Sequence, residues 1–483
     1  MAQKITIEPV TRVEGHGKVT IHLDDQQNIT QTRLHIVEFR GFERFIQGRP
    51  YWEAPVLVQR LCGICPVSHH LASAKAMDVI VGAGTGEGLT PTGEKMRRLM
   101  HYGQIFQSHA LHFFHLASPD LLFGIDSDPA MRNVIGVALK HKDLAVQGVM
   151  MRKFGQEIIE ATAGKKIHGT GAIPGGINKH LTKEEKEKFL NGPDPLNIDK
   201  MIEWSQGALA FFKDYHKQNK AVIDQFFEFP SSYLSLVRKD GALDLYHGVI
   251  RAVDTEGKKI LHDVDYQNYL KYIDEEVRSW SYMKFPYLKQ IGKQDGWYTV
   301  GPLARMNTID FIPTPLAQKE FEIFRSYANG KPSNRPMHQH WARLIELLHA
   351  AEMMKQLLND NDLLTGELVT KGIKTNEGVG LLEAPRGTLF HHYRINEDDQ
   401  IEMANLIVST TNNNEPMNRA VNMVANKTMT GEAKITEGMM NAVEVAIRSY
   451  DPCLSCATHA LGQMPLEISL FNNRNELIDI RRK

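Results

Sequence analysis

All four cysteines of the 483-residue chain fall into two C-x-x-C pairs, Cys62 and Cys65 in RLCGICPVSHH and Cys453 and Cys456 in DPCLSCATH. A fold that gathers them on one centre must bring the two ends of the chain together. Two side chains three apart at the start of a helix can face one point, and a helix N-terminus lowers thiol pKa. Each pair can therefore present two thiolates to a soft metal. The commoner use of such pairs is a structural tetra-thiolate zinc, which makes a helical scaffold protein the non-catalytic reading. Zinc ribbons, however, space their pairs by roughly 15 to 20 residues, because they staple small domains with little core. Here one pair ends at residue 65 and the next begins at 453, in a chain whose hydrophobic content of 42% is ample for a large core. Spending every cysteine on one such constellation points to chemistry. A redox C-x-x-C lacks its usual thioredoxin-like setting, and four cysteines in so long a chain argue against a disulfide scaffold.

The rest of the chain sets the frame for that centre. Residues 4–40 alternate apolar and polar in KITIEPV, GKVTIHL and TRLHIVEF, the period of short antiparallel strands with one wet face. From about Pro55 the spacing becomes helical. The clearest case starts at Thr90 as N-cap and Pro91 at N1, with Leu99, Tyr102, Phe106, His109, Phe113 and Leu116 on one buried stripe. Further helices are expected at about 131–163, 198–227, 315–329, 335–359, 415–426 and 436–449. Between them, 231–265 reads as a strand-rich meander and 390–411 as a hairpin around Asn396 to Asp399. The fold class expected is mainly α with peripheral small β-sheets (α+β), built as a helical-bundle core in one compact domain over 1–459. A tail over 460–483 reads as two strands around a turn at Asn472 to Asn475.

Several function classes drop out. Lys and Arg number 56 and Asp and Glu 57, with no long block of like charge, which argues against nucleic acid or anionic lipid as partner. No stretch approaches the roughly 18 apolar residues of a membrane span, and the start lacks a basic-then-apolar leader. The expectation is a cytoplasmic chain, unless it is exported bound to a partner that carries a signal. HGTGAIPGGINK at 168–179 lacks the G-K-[ST] ending of a phosphate loop. The histidines, among them His69, His70, His109, His112, His115, His391 and His392, and the 20 methionines read mostly as core or surface.

R-x-C-G-x-C-x-x-x-H, from Arg60 to His69, and D-P-C-x-x-C-x-x-H, from Asp451 to His459, together resemble the two signature segments of nickel-iron hydrogenase large subunits. PVTRVEGHGK near the start, FRGFE ending at Glu43, EAPRG from Glu383 to Gly387 and the segment NLIVSTT extend the resemblance over essentially the whole chain. It is closest to the cytoplasmic, NAD-linked bidirectional type. The resemblance implies that Cys62 and Cys453 are terminal ligands of nickel, and that Cys65 and Cys456 bridge nickel to an iron carrying carbon monoxide and cyanide. It implies that Cys453 is the first proton acceptor and that Glu14 passes the proton on, as a buried carboxyl of raised pKa would. Arg386, helped by Pro385, would hang over the open metal face, and Asp451 lies in the second signature. His69 would hydrogen-bond a bridging cysteine, and Thr410 would meet a cyanide ligand. Glu43, His459 and the backbone carbonyl near Leu406 resemble ligands of magnesium. Ser108 stands where many exported relatives carry an Asp, a departure that affects the surroundings of Arg386.

The resemblance also implies a maturation endopeptidase that cuts between His459 and Ala460. With all four thiolates used, no iron-sulfur cluster can be built here, so electrons must leave through an iron-sulfur small subunit. Flavin diaphorase subunits that reduce NAD would follow, with F420-linked or electron-bifurcating assemblies as alternatives. The related quinone-site subunit of respiratory complex I lacks the four cysteines.

Overall fold

The computed structural model describes residues 3–38, 41–83, 88–221, 223, 228–432 and 434–458, and the backbone of 467–471 and 477–482. The alternating start forms an antiparallel sheet of β1 (Gln3–Ile7), β2 (Gly17–Leu23) and β3 (Ile29–Ile36), in that order. Period 2 sends Val19, Ile21 and Leu23 to one buried face.

Helices then dominate. Of the 15 residues of α1 (Pro66–Ile80) all but Val79 are buried, so it runs through the interior and not along its edge. α2 (Pro91–Leu111) starts as its sequence suggests: Thr90 Oγ1 accepts the Gly93 N–H at 3.0 Å. Beyond Leu111 the helix widens into a π-helical turn, His112–Ala117, before Ser118–Phe123. Pro119 has no N–H to continue the ladder, and the extra residue rotates the stripe, leaving Leu116 only half-buried.

α3 (Lys142–Ala163) lies along α2. The two come close enough that a Cβ on Gly103 would sit 2.7 Å from Ile158 Cγ2, and one on Gly155 2.7 Å from the Gly103 carbonyl oxygen. The helix expected over 131–163 is in fact two, Val134–Lys140 and α3, because His141 leaves helical geometry at φ −134°. α4 (Ile198–Gln218) ends before the expected 227, and 224–227 lie outside the described residues.

The expected meander is β4 (Ser232–Val237), β5 (Val249–Val253) and β6 (Lys259–Val264). β7 (Tyr298–Thr299) adds parallel to β4, giving the order β7-β4-β5-β6. α5 (Pro302–Thr308) then leads to α6 (His338–Leu358), which packs on both α2 and α4.

The hairpin expected over 390–411 proves to be part of a three-stranded antiparallel sheet of β8 (Glu377–Ala384), β9 (Gly387–Ile395) and β10 (Ile401–Ile407). β8 escapes the alternation test because both of its faces are buried, against α1 and against neighbouring strands. α7 (Asn414–Met429) and α8 (Glu437–Ser449) close the body. In the tail, β11 (Glu467–Phe471) and β12 (Leu477–Arg482) pair antiparallel, and the turn expected between them lies outside the described residues. Among the described residues no helix is long and apolar enough to cross a membrane.

Candidate metal centre

Cys62 follows a short 3-10 turn, Val58–Leu61, in extended conformation, and Cys65 caps α1 ahead of Pro66. The N–H groups of Ile64 and Cys65 donate to Cys62 Sγ at 3.3 and 3.1 Å. This pair sits at a helix's positive end, where its spacing suggests.

The second pair does not begin a helix. α8 ends at Ser449, and Pro452 disfavours the α region for Asp451, which turns the chain at φ +52°. Cys453 instead bridges to Glu14 in parallel β fashion, and the Leu454 N–H donates to the Glu14 carbonyl at 2.9 Å. The N-terminal segment thus pins the C-terminal turn. Gly15, at φ +82°, is required there, since a Cβ would stand 2.7 Å from the Ser455 nitrogen.

All four sulfurs lie within 4.8 Å of one another. Cys62 Sγ is 3.0 Å from Cys65 Sγ and 3.2 Å from Cys453 Sγ, and all four residues are buried and unbridged. Hydrogen bonds from Cys453, Cys456 and Cys62 hold the Cys65 thiol well below its ordinary range. Burial pushes Cys453 and Cys456 well above theirs. A cation bound among them would offset that desolvation and draw off the protons, so this donor set fits a thiophilic metal.

Glu14 faces this cluster. The Cys453 thiol donates to Glu14 Oε2 at 3.0 Å, the Ser455 N–H reaches the same oxygen at 3.2 Å, and the Ser455 hydroxyl donates to Oε1. Glu14 is half-buried, not enclosed as expected. Ser455 was missed from the sequence, and its only signal was a hydroxyl between two cysteines.

On the other side lies a cavity of about 10 Å³, lined by Cys65, His69, Pro385, Arg386, Thr410 and Cys453 among others. It has room for about one water molecule. Arg386 is buried in the turn between β8 and β9. It donates to Asp451 Oδ1 at 3.1 Å and to Ser108 Oγ at 3.4 Å, so Ser108 does stand beside it. Among the described residues, Arg386 Nε and Asp451 Oδ2 find no partner. Burial pushes the Asp451 carboxyl up to about 6 against the pull of Arg386 and Arg343. Thr410 Oγ1 accepts the Cys453 N–H at 2.9 Å, which leaves its own proton to donate. His69 shares a wall of that cavity with Cys65 and helps to hold its thiol below the ordinary range.

Glu43 lies apart from the sulfurs, buried, with its Oε1 accepting the Leu406 N–H at 2.8 Å. Two of the residues expected at magnesium, Glu43 and Leu406, thus stand together. His459 and Ala460 lie outside the described residues.

Comparison with known proteins identifies the family. A family profile described as nickel-dependent hydrogenase matches residues 40–133 and 235–459, and one described as HoxL-like matches 4–39. The NAD-reducing hydrogenase HoxS subunit beta of Cupriavidus necator is 52% identical, with both chains covered completely. The matching chain of the F420-non-reducing hydrogenase of Methanothermobacter thermautotrophicus is 40% identical, over 98% of this chain and 99% of its own. A crystal structure of an NAD+-reducing [NiFe]-hydrogenase in the H2-reduced state superposes with a TM-score of 0.91 at 52% identity, over 95% of this chain and 99% of the other. The chain belongs to the nickel-dependent hydrogenase large-subunit family, and it is an oxidoreductase subunit whose four-cysteine cluster could hold a metal.

Proposed function

We propose that this hydrogenase subunit carries a nickel-iron site and works in a NAD-linked assembly, splitting dihydrogen reversibly into protons and electrons. The observation that carries the reading is the meeting of four sulfurs from both ends of the chain within 4.8 Å. Cys62 and Cys453 would hold nickel as terminal ligands, and Cys65 and Cys456 would bridge it to an iron carrying carbon monoxide and cyanide. When bound, the two metals supply the chemistry that cleaves dihydrogen and takes up its electrons.

The chain's own side chains then handle protons and access. Cys453 Sγ stands 3.0 Å from Glu14 Oε2, and Ser455 fixes that carboxylate, so a proton taken up at the sulfur meets an acceptor already oriented. Half-burial gives Glu14 an outward path. Arg386, anchored by Asp451 and backed by Pro385, keeps a spare donor at the cavity. Thr410 offers a hydroxyl proton for a cyanide ligand, and His69 tunes Cys65. Glu43 and His459, with the backbone at Leu406, would hold magnesium, whose hard oxygen ligands suit carboxylate and water.

The partners follow from the same reading. With no cysteine left for a cluster, electrons leave through an iron-sulfur small subunit, which hands them to flavin diaphorase subunits. The likeness to a subunit of an NAD-reducing hydrogenase supports that route. A maturation endopeptidase would cut after His459, removing the β11–β12 hairpin from a helical-bundle domain over 1–459. The assembly would work in the cytoplasm.

Anaerobic purification of the assembly tests this directly. Nickel with iron, infrared bands of metal-bound carbon monoxide and cyanide, and hydrogen-dependent NAD reduction are expected. A single zinc and no such bands would overturn the reading.

A further inference from the structure

Strand β9 places His391 and Tyr393 two residues apart, hence on the same face, and that face meets α1: Tyr393 packs with Ala76 and Met77. One turn into α1 from Cys65 stands His69. The three side chains form a line, with His69 Nδ1 3.1 Å from His391 Nε2 and His391 Nδ1 2.6 Å from the Tyr393 hydroxyl. None exposes more than 1% of its surface. His392, between them, faces the other way, toward Tyr269 and Glu377.

We infer that His391 and Tyr393 are positioning residues that fix the ring orientation of His69 and keep one of its N–H groups on the Cys65 sulfur. The inference rests on the metal-site reading above. His391 Nε2 holds His69 Nδ1 at 3.1 Å, which leaves Nε2 of His69 to serve Cys65, with which His69 shares a cavity wall. The Tyr393 hydroxyl in turn holds His391 at its opposite nitrogen, at 2.6 Å. Each ring is thus braced from behind, Tyr393 on His391 and His391 on His69, and each contact fixes the next.

The test is the infrared carbonyl band of the anaerobically purified holoenzyme, recorded for wild type, His391→Leu, His391→Gln and Tyr393→Phe. A sulfur that loses its hydrogen bond donates more charge to the metals, so His391→Leu should move the band to lower wavenumber. Tyr393→Phe should move it the same way by less, because His391 still holds His69 Nδ1. His391→Gln, whose amide N–H can reach His69 Nδ1, should return it toward wild type. A His391→Leu band at the wild-type position overturns the inference. Where that variant fails to load its metals, Tyr393→Phe decides, and an unmoved band overturns the inference. A wild-type enzyme with no carbonyl band would overturn the metal assignment itself.

Discussion

Two buried arginines, Arg305 and Arg386, stand at either side of one short strand end and are treated in opposite ways. Arg305, on α5, donates from Nε and Nη2 to both oxygens of Glu346 at 2.5 and 2.6 Å, and from Nη1 to Glu383 at 2.6 Å. Glu346 also meets His109, and Glu383 accepts from the Leu236 N–H and the Thr388 hydroxyl. Every side-chain nitrogen of Arg305 and every oxygen of its two carboxylates is paired. Among the described residues Arg386 has one carboxylate partner, a distant serine and an idle Nε. Full satisfaction marks a group that holds the fold, whereas a spare donor on a buried cation marks one held ready for something else. The two are coupled, since Arg305 also donates to the carbonyls of Ala384 and, at 3.5 Å, Pro385, and so fixes the backbone from which Arg386 projects.

The largest expected effect is therefore at the residue farther from the sulfurs. Arg305→Met leaves Glu346 and Glu383 buried without their cation, and the loss should be about 3–5 kcal/mol, read as a lower denaturation midpoint. A midpoint within about 0.5 kcal/mol of wild type would dissolve the contrast. Arg386→Met should retain most of the stability and the infrared bands, yet lose hydrogen uptake by roughly 100-fold, the scale for removing one preorganised donor. Equal losses of stability in the two variants would show that both arginines are structural. A smaller effect is expected where α2 crosses α3. Gly155→Val forces a side chain against the Gly103 carbonyl and Gln107, and should cost about 1–3 kcal/mol without altering the metal content.

How much of this could be read from sequence depended on whether a signal is local. Thr90 and Pro91 announce α2 because capping is settled within four residues. The first cysteine pair sits at a helix start for the same reason. β8 was invisible because a strand buried on both faces has no alternation, and the break at His141 carries no glycine or proline. The turn holding Cys453 had its clue in Pro452, but Glu14, which pins it, lies at the other end of the chain. Ser455 and His391 are single letters whose meaning comes only from register and long-range contact. The sequence could say which atoms a metal would want, while the groups that orient those atoms needed the fold.

Lys75 extends the comparison to a buried cation that, among the described residues, donates to no carboxylate. It donates to the carbonyls of Tyr246 and Leu381 and lies 4.6 Å from the Tyr246 ring centre. Carbonyls and a ring face offset less of the desolvation than a carboxylate, and burial lowers its pKa from 10.5 to about 7. The unfolded chain keeps this proton up to about pH 10.5, while the folded chain releases it near 7. Between those values the unfolded state holds more protons, so stability must rise with pH, by at most about 1.4 kcal/mol per unit. Below pH 7 the penalty is present in full, and above 10.5 it is gone. Lys75→Met removes the titration, so the wild-type denaturation midpoint should climb relative to the variant between pH 7 and 9. Parallel midpoints across that window would mean that the two carbonyls and the ring hold the ammonium as well as a carboxylate does.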